Sequence, residues 1–119
     1  MTHRRRLGQA GYYIISILLA VLGIQKKRYE KQLSLGDKYL AELDYENAEI
    51  CFEKAISIQE KKAAPYLKLA AVYLYQGRTQ DAENILREGS QKVTDNEGLE
   101  NIRRTWKSWR SQREFWKAM

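Results

Sequence analysis

Residues 33–56, LSLGDKYLAELDYENAEICFEKAI, and residues 67–90, LKLAAVYLYQGRTQDAENILREGS, are two versions of one pattern. At a spacing of 34, Leu35 pairs with Leu69, Gly36 with Ala70, Tyr39 with Tyr73, Ala48 with Ala82, Phe52 with Leu86 and Ala55 with Gly89. Residue size agrees across all six pairs, so one supersecondary unit occurs twice, over residues 29–62 and 63–96.

Within each unit the period is helical. Leu33, Leu35, Tyr39 and Leu40 mark a helix A, and Ala48, Phe52, Ala55 and Ile56 mark a helix B, because side chains three and four residues apart share a helical face. The first unit breaks at Leu43-Asp44-Tyr45, where Asp44 is predicted to cap helix B by accepting from its free amides. The second breaks at Gln76-Gly77-Arg78-Thr79, with Gly77 expected in the left-handed position after helix A and Thr79 expected as the cap of helix B. Pro65 suits the first turn of the second helix A, where a missing N–H costs nothing. Gly36, Ala70, Ala48 and Ala82 are small enough to let helices A and B approach closely.

These residues resemble the tetratricopeptide repeat family, whose 34-residue pattern runs from a bulky aromatic through Leu-Gly, Tyr, Ala, Phe and Ala to a closing Pro. The first unit matches with Leu35, Gly36, Tyr39, Ala48, Phe52 and Ala55, but has Gln32 for the aromatic and Glu60 for the Pro. The second matches with Tyr66, Leu69, Ala70, Tyr73, Ala82 and Gly89, with Leu86 in place of Phe and Thr94 in place of Pro. The resemblance implies an all-α fold in which antiparallel hairpins stack into a right-handed α-solenoid. It implies that helix A residues line a groove for a peptide or a partner's helix. The corresponding positions are Leu33, Asp37, Leu40 and Ala41 in the first unit and Leu67, Lys68, Ala71, Leu74 and Tyr75 in the second. Family members that clamp a C-terminal carboxylate use a Lys and an Asn where this chain has Leu33 and Asp37, so that mode is not expected.

Upstream of the repeats, residues 7–25 form a stretch of nineteen without a charge. As a helix it would be roughly 28 Å long, close to the ~30 Å hydrocarbon thickness of a bilayer. Arg4, Arg5 and Arg6 precede it, Lys26, Lys27 and Arg28 follow it, and Tyr12 and Tyr13 suit an interface. A soluble amphipathic helix needs a polar face, for which only Gln9 and Ser16 are on offer. The run ends Val21-Leu22-Gly23-Ile24-Gln25 with no small-residue cleavage site, so residues 7–25 read as an uncleaved transmembrane signal anchor behind a basic tail, residues 1–6. A short basic tail resists translocation, which favours the N-terminus inside and the repeats outside, although positive charge on the two flanks nearly balances. No Pro interrupts Leu7 to Leu43, so the anchor is predicted to run unbroken into the first helix A.

Downstream, residues 97–119 form a third helical stretch opened by a capping box, Thr94-Asp95-Asn96-Glu97. Leu99, Ile102, Trp106, Trp109 and Trp116 fall within an arc of about 100°, beside Arg103, Arg104, Lys107 and Arg110. One reading makes this a capping helix over the second repeat, which a solenoid end requires. Another lays Trp106, Trp109, Arg110, Arg113 and Trp116 on an anionic membrane surface. A third has them bind nucleic acid by stacking and phosphate contacts. The net charge of +6 does not favour the third, because residues 34–96 carry −3 and the cations flank the apolar stretch or lie at the C-terminus.

Catalysis has no residues to work with. The single His3 sits in the basic tail, the single Cys51 lies beside Phe52 on a packed helix, and no Gly-rich phosphate loop occurs. No cofactor or metal site is expected, and one Cys excludes an internal disulfide. The acidic side chains Glu42, Asp44, Glu46, Glu49 and Glu53 read as a solvated face. The expected function is a membrane-anchored scaffold or assembly module for a protein or peptide partner, without enzyme activity. A membrane-bound homo-oligomer is the second reading, and a nucleic-acid-binding module the third.

Overall fold

The computed structural model describes residues 2–118, with side chains described for residues 9–114. It is all-helical, with no strand among the described residues. The elements are α1 (Thr2–Ala41), α2 (Tyr45–Ile58), α3 (Ala63–Tyr75), α4 (Thr79–Lys92) and α5 (Asn96–Ala118). Each packs on its chain neighbour, and α5 packs on both α3 and α4. The first helix is continuous over forty residues, as the absence of Pro predicts, and it gives the molecule a long axis of 80 Å.

The turns that reverse the chain are built alike. After α1, Asp44 N–H donates to Tyr39 O at 2.8 Å and Leu43 N–H to Leu40 O at 3.0 Å. After α3, Arg78 N–H donates to Tyr73 O at 2.8 Å and Gly77 N–H to Leu74 O at 3.0 Å. This pair of bonds is the Schellman termination, which needs one residue at positive φ. Gly77 takes φ 74° as expected; its counterpart 34 residues earlier is Leu43 at φ 62°, a conformation that costs an L-residue with a Cβ.

Asp44 caps α2, accepting from Asn47 N–H at 3.3 Å and from Asn47 Nδ2 at 2.7 Å. The other two caps differ from expectation. Thr79 is the first residue of α4, Arg78 holds the cap position, and no side chain bonds there. At α5 the cap is Asp95, whose Oδ2 accepts from Gly98 N–H at 3.1 Å, so the helix starts inside the predicted box. At α4 the bonds of the turn upstream move the cap one residue earlier; at α5 Asp95, itself a capping side chain, takes the position one residue after Thr94.

The core lies where the repeats overlap. Ala48, Phe52, Ala55, Tyr66, Ala70 and Ala82 are fully buried, and Leu69 and Leu86 nearly so. A Cβ on Gly36 would overlap the Phe52 ring, and one on Gly89 would come within 2.9 Å of Tyr66 Cγ, so both glycines are needed for close helix contact. The units are not equally covered. Leu69 and Tyr73 are buried, but Leu35 and Tyr39, their partners on α1, are half-open, since of the described helices only α2 packs extensively on α1. On the other flank Val93 and Ile102 are buried, with Leu99, Trp106 and Trp109 packed on the same core.

Candidate docking surface and membrane anchor

Among the described side chains of α1, those from Gln9 to Ile24 pack on no other helix. Tyr12, Ile14, Ile15, Ile17, Leu18, Leu19, Leu22 and Ile24 are all more than half exposed. The helix is long and apolar enough to cross a membrane. Three residues beyond Lys26 its character changes, because Tyr29 is buried in the body. Burial also pushes the Tyr29 phenol up from its ordinary value. At about 1.5 Å per residue, the apolar stretch and the packed body are separated by less than one turn and a half of rigid helix.

The first helices of the two hairpins share a face with α5. Tyr29 of α1, Leu67 of α3, and Gly98 and Asn101 of α5 line an open cleft of about 270 Å³, together with Lys62 and Asp95. Farther along, Lys68 Nζ of α3 meets Asp37 Oδ1 of α1 at 2.7 Å. Both side chains are over a third exposed, so the pair aligns the two helices more than it stabilises them. Leu33, Leu40 and Leu74 are half-buried against the core, Ala71 is half-buried, and Ala41 is exposed. Tyr75, 66% exposed, stacks on Tyr45 with ring centroids 5.8 Å apart and planes at 16°. The predicted groove residues therefore do not line one pocket: Leu67 and Leu74 border separate clefts, and Asp37 and Lys68 neutralise each other.

Tyr45 and Tyr29 were not singled out as surface-forming by the repeat pattern, which aligns residues along the chain and carries no register between A and B helices at their ends. Beside the Tyr45–Tyr75 stack lies a polar cluster. Arg78 stands over the Tyr73 ring at 4.4 Å and meets Glu49 at 3.0 Å and Asp81 at 2.8 Å. Tyr73 Oη donates to Glu53 Oε1 at 3.5 Å. Burial, then the Glu49 and Glu53 charges, push the Tyr73 phenol up to about 12. Burial and Glu49 likewise raise the Glu53 carboxyl. Each of these groups has a structural partner, and none is aimed at an open cavity. Cys51 is buried, which raises its thiol. Among the described residues no group of acidic, His or Cys side chains could hold a metal ion.

Trp106 and Trp109 of α5 turn inward. Trp106 and Trp109, with Leu74, Thr79 and Glu83, line a cleft of about 300 Å³ against the second hairpin. Arg110 lies over the Trp106 ring at 5.9 Å, and Arg113 is bonded to Glu83. Of the five residues assigned to a membrane surface, four thus engage α5 itself or the repeat body, and Trp116 lies outside the described side chains. Their level matters as well. Helix α5 begins beside Tyr29 and Lys62 and reaches Thr79 and Glu83, the opposite end of the hairpins, at Trp109–Arg113. Comparison with family models, with curated proteins and with solved structures finds no match for this chain.

Proposed function

We propose that this is a single-pass membrane protein whose body, two tetratricopeptide-like hairpins in a right-handed stack closed by α5, docks a peptide or helix of another protein and acts as a scaffold without chemistry of its own. One observation carries the reading: α1 is a single helix that is bare and apolar from Tyr12 to Ile24 and built into the body from Tyr29 onward. A soluble protein would have to cover ten large apolar side chains to remain dispersed, whereas a bilayer covers them by length and composition alone.

The docking surface combines the cleft of α1, α3 and α5 along Tyr29, Leu67 and Gly98 with the exposed aromatic platform of Tyr75 of α3 on Tyr45 of α2. Exposed, rigidly held aromatic rings are what partner helices and peptides anchor to. Proximity labelling from the full-length protein on native membranes tests the assignment, comparing the parent with Tyr75→Ala and with Lys54→Ala on the outer face of α2. The labelled set is expected to lose its leading members with Tyr75→Ala and keep them with Lys54→Ala. An unchanged set with Tyr75→Ala refutes this docking face.

A further inference from the structure

The charges at the anchor end of the body have no role so far. Helices α1 and α2 run antiparallel with Gly36 against Phe52, so seven residues back on α1, Tyr29 lies level with Gln59 at the end of α2. The shared cleft of Tyr29, Lys62 and Asp95 puts the α2–α3 turn and the start of α5 at that same level. One end of the body therefore collects Lys26, Lys27, Arg28 and Lys31 of α1, Lys61 and Lys62 of the α2–α3 turn, and Lys92 of α4. The carboxylates there are Glu30, Glu60, Glu88, Asp95 and Glu97. Lys92 engages Glu88 at 3.0 Å and Glu60 at 3.6 Å, and Asp95 caps α5. The first six cations are exposed and make no ion pair among the described residues.

We propose that this end is a docking face for anionic lipid headgroups, which seats the body upright against the bilayer. The proposal rests on the reading of α1 as the membrane anchor. Given that reading, distance alone puts the face in the lipid. The headgroup layer is about 5–7 Å deep on each side of the hydrocarbon, and Tyr29 follows the uncharged stretch by four residues, about 6 Å of helix. With no flexible linker, the body leaves that layer only by tilting α1, so Lys61 and Lys62, level with Tyr29, stay within reach of the headgroups whenever the helix stands upright. A negative leaflet surface favours each such cation, shifting the docked-to-undocked ratio about fivefold per lysine. The opposite consequence holds for α5. An odd number of antiparallel helices takes its Trp109–Arg113 end to the far side of the body, away from this bilayer surface.

The test uses the full chain in vesicles of phosphatidylcholine, with and without phosphatidylglycerol, carrying a headgroup spin label. A fluorophore is placed at Ala64→Cys on the anchor end or at Gln80→Cys on the far end, both exposed positions, in a Cys51→Ala background. The label at 64 is expected to be quenched several-fold more than the label at 80, and more strongly when phosphatidylglycerol is present. Lys61→Gln with Lys62→Gln should weaken the phosphatidylglycerol-dependent part by roughly 25-fold in the docking ratio. Inorganic phosphate added to phosphatidylcholine vesicles should change nothing. Equal quenching at 64 and 80, or quenching at 64 that ignores both phosphatidylglycerol and the two lysines, overturns the docking face while leaving the anchor intact. Flotation of the same vesicles reads the anchor separately: protein left at the bottom of the gradient removes both.

Discussion

The close contact of Gly36 with Phe52 can be tested against the second repeat, which solves the same packing problem with Ala70 and Leu86. Phe52 is fully buried, so its ring cannot swing aside for a new methyl group. Gly36→Ala gains about 1 kcal/mol of helix propensity but meets an overpacking penalty of about 2–3 kcal/mol, for a net loss of about 1–2 kcal/mol. Phe52→Leu alone removes ring atoms and leaves space, for a loss of about 1–1.5 kcal/mol. Together the two changes install the second repeat's pair in the first. The added methyl then occupies part of the space the ring vacated, and the propensity gain is kept. The double variant is expected within about 1 kcal/mol of the parent, a favourable coupling near 2 kcal/mol, where contacting residues commonly show 0.5–3 kcal/mol. Denaturant unfolding of the full chain in detergent, followed by helix ellipticity and by tryptophan emission from α5, measures all four corners of the cycle. If the single losses add to within about 0.5 kcal/mol, the interlocking of this pair and the equivalence of the two hairpins at this contact are both refuted.

Two further outcomes follow from the caps and the buried phenol. Asp44→Ala should cost about 1 kcal/mol, as loss of a capping side chain does, while Thr79→Ala should change the unfolding midpoint little, because Thr79 caps nothing. Equal effects at the two positions would contradict the observed helix starts. Tyr73 is held neutral by burial and by Glu49 and Glu53, with its pKa raised from 10 to about 12. That stabilisation is complete below the unfolded value and is lost as pH rises through the 10 to 12 window, for a total of about 2–3 kcal/mol. Tyr73→Phe should therefore flatten the alkaline loss of stability, though not abolish it, since burial also raises Tyr29 and Tyr66. A parent and a Tyr73→Phe variant with parallel stability curves above pH 10 would show that the phenol is not so held.

How far the sequence reaches depends on whether a feature is local. The hairpin interiors were legible because a repeat states each buried position twice: Ala48 with Ala82 and Phe52 with Leu86 occupy matching sites in the core. Continuity of α1 was legible too, since only Pro or a strong break could have interrupted it. The starts of α4 and α5 were not: at α4 the bonds of the preceding turn outrank the preference of Thr79, and at α5 two adjacent capping residues, Thr94 and Asp95, compete and Asp95 is the one used. Still less legible was the relation of α5 to the membrane. Amphipathicity gives the direction in which Trp106 and Trp109 point around their own axis, and that direction suits a bilayer surface and a protein core equally. Deciding between them takes a count of chain reversals, which α2 and α4 supply, and a register, which the Tyr29 cleft and the Arg113–Glu83 pair supply. With both in hand, Trp106, Trp109 and Arg113 are placed against the second hairpin, and the lysines that no periodicity singles out are the ones the proposed docking face would bring to the lipid.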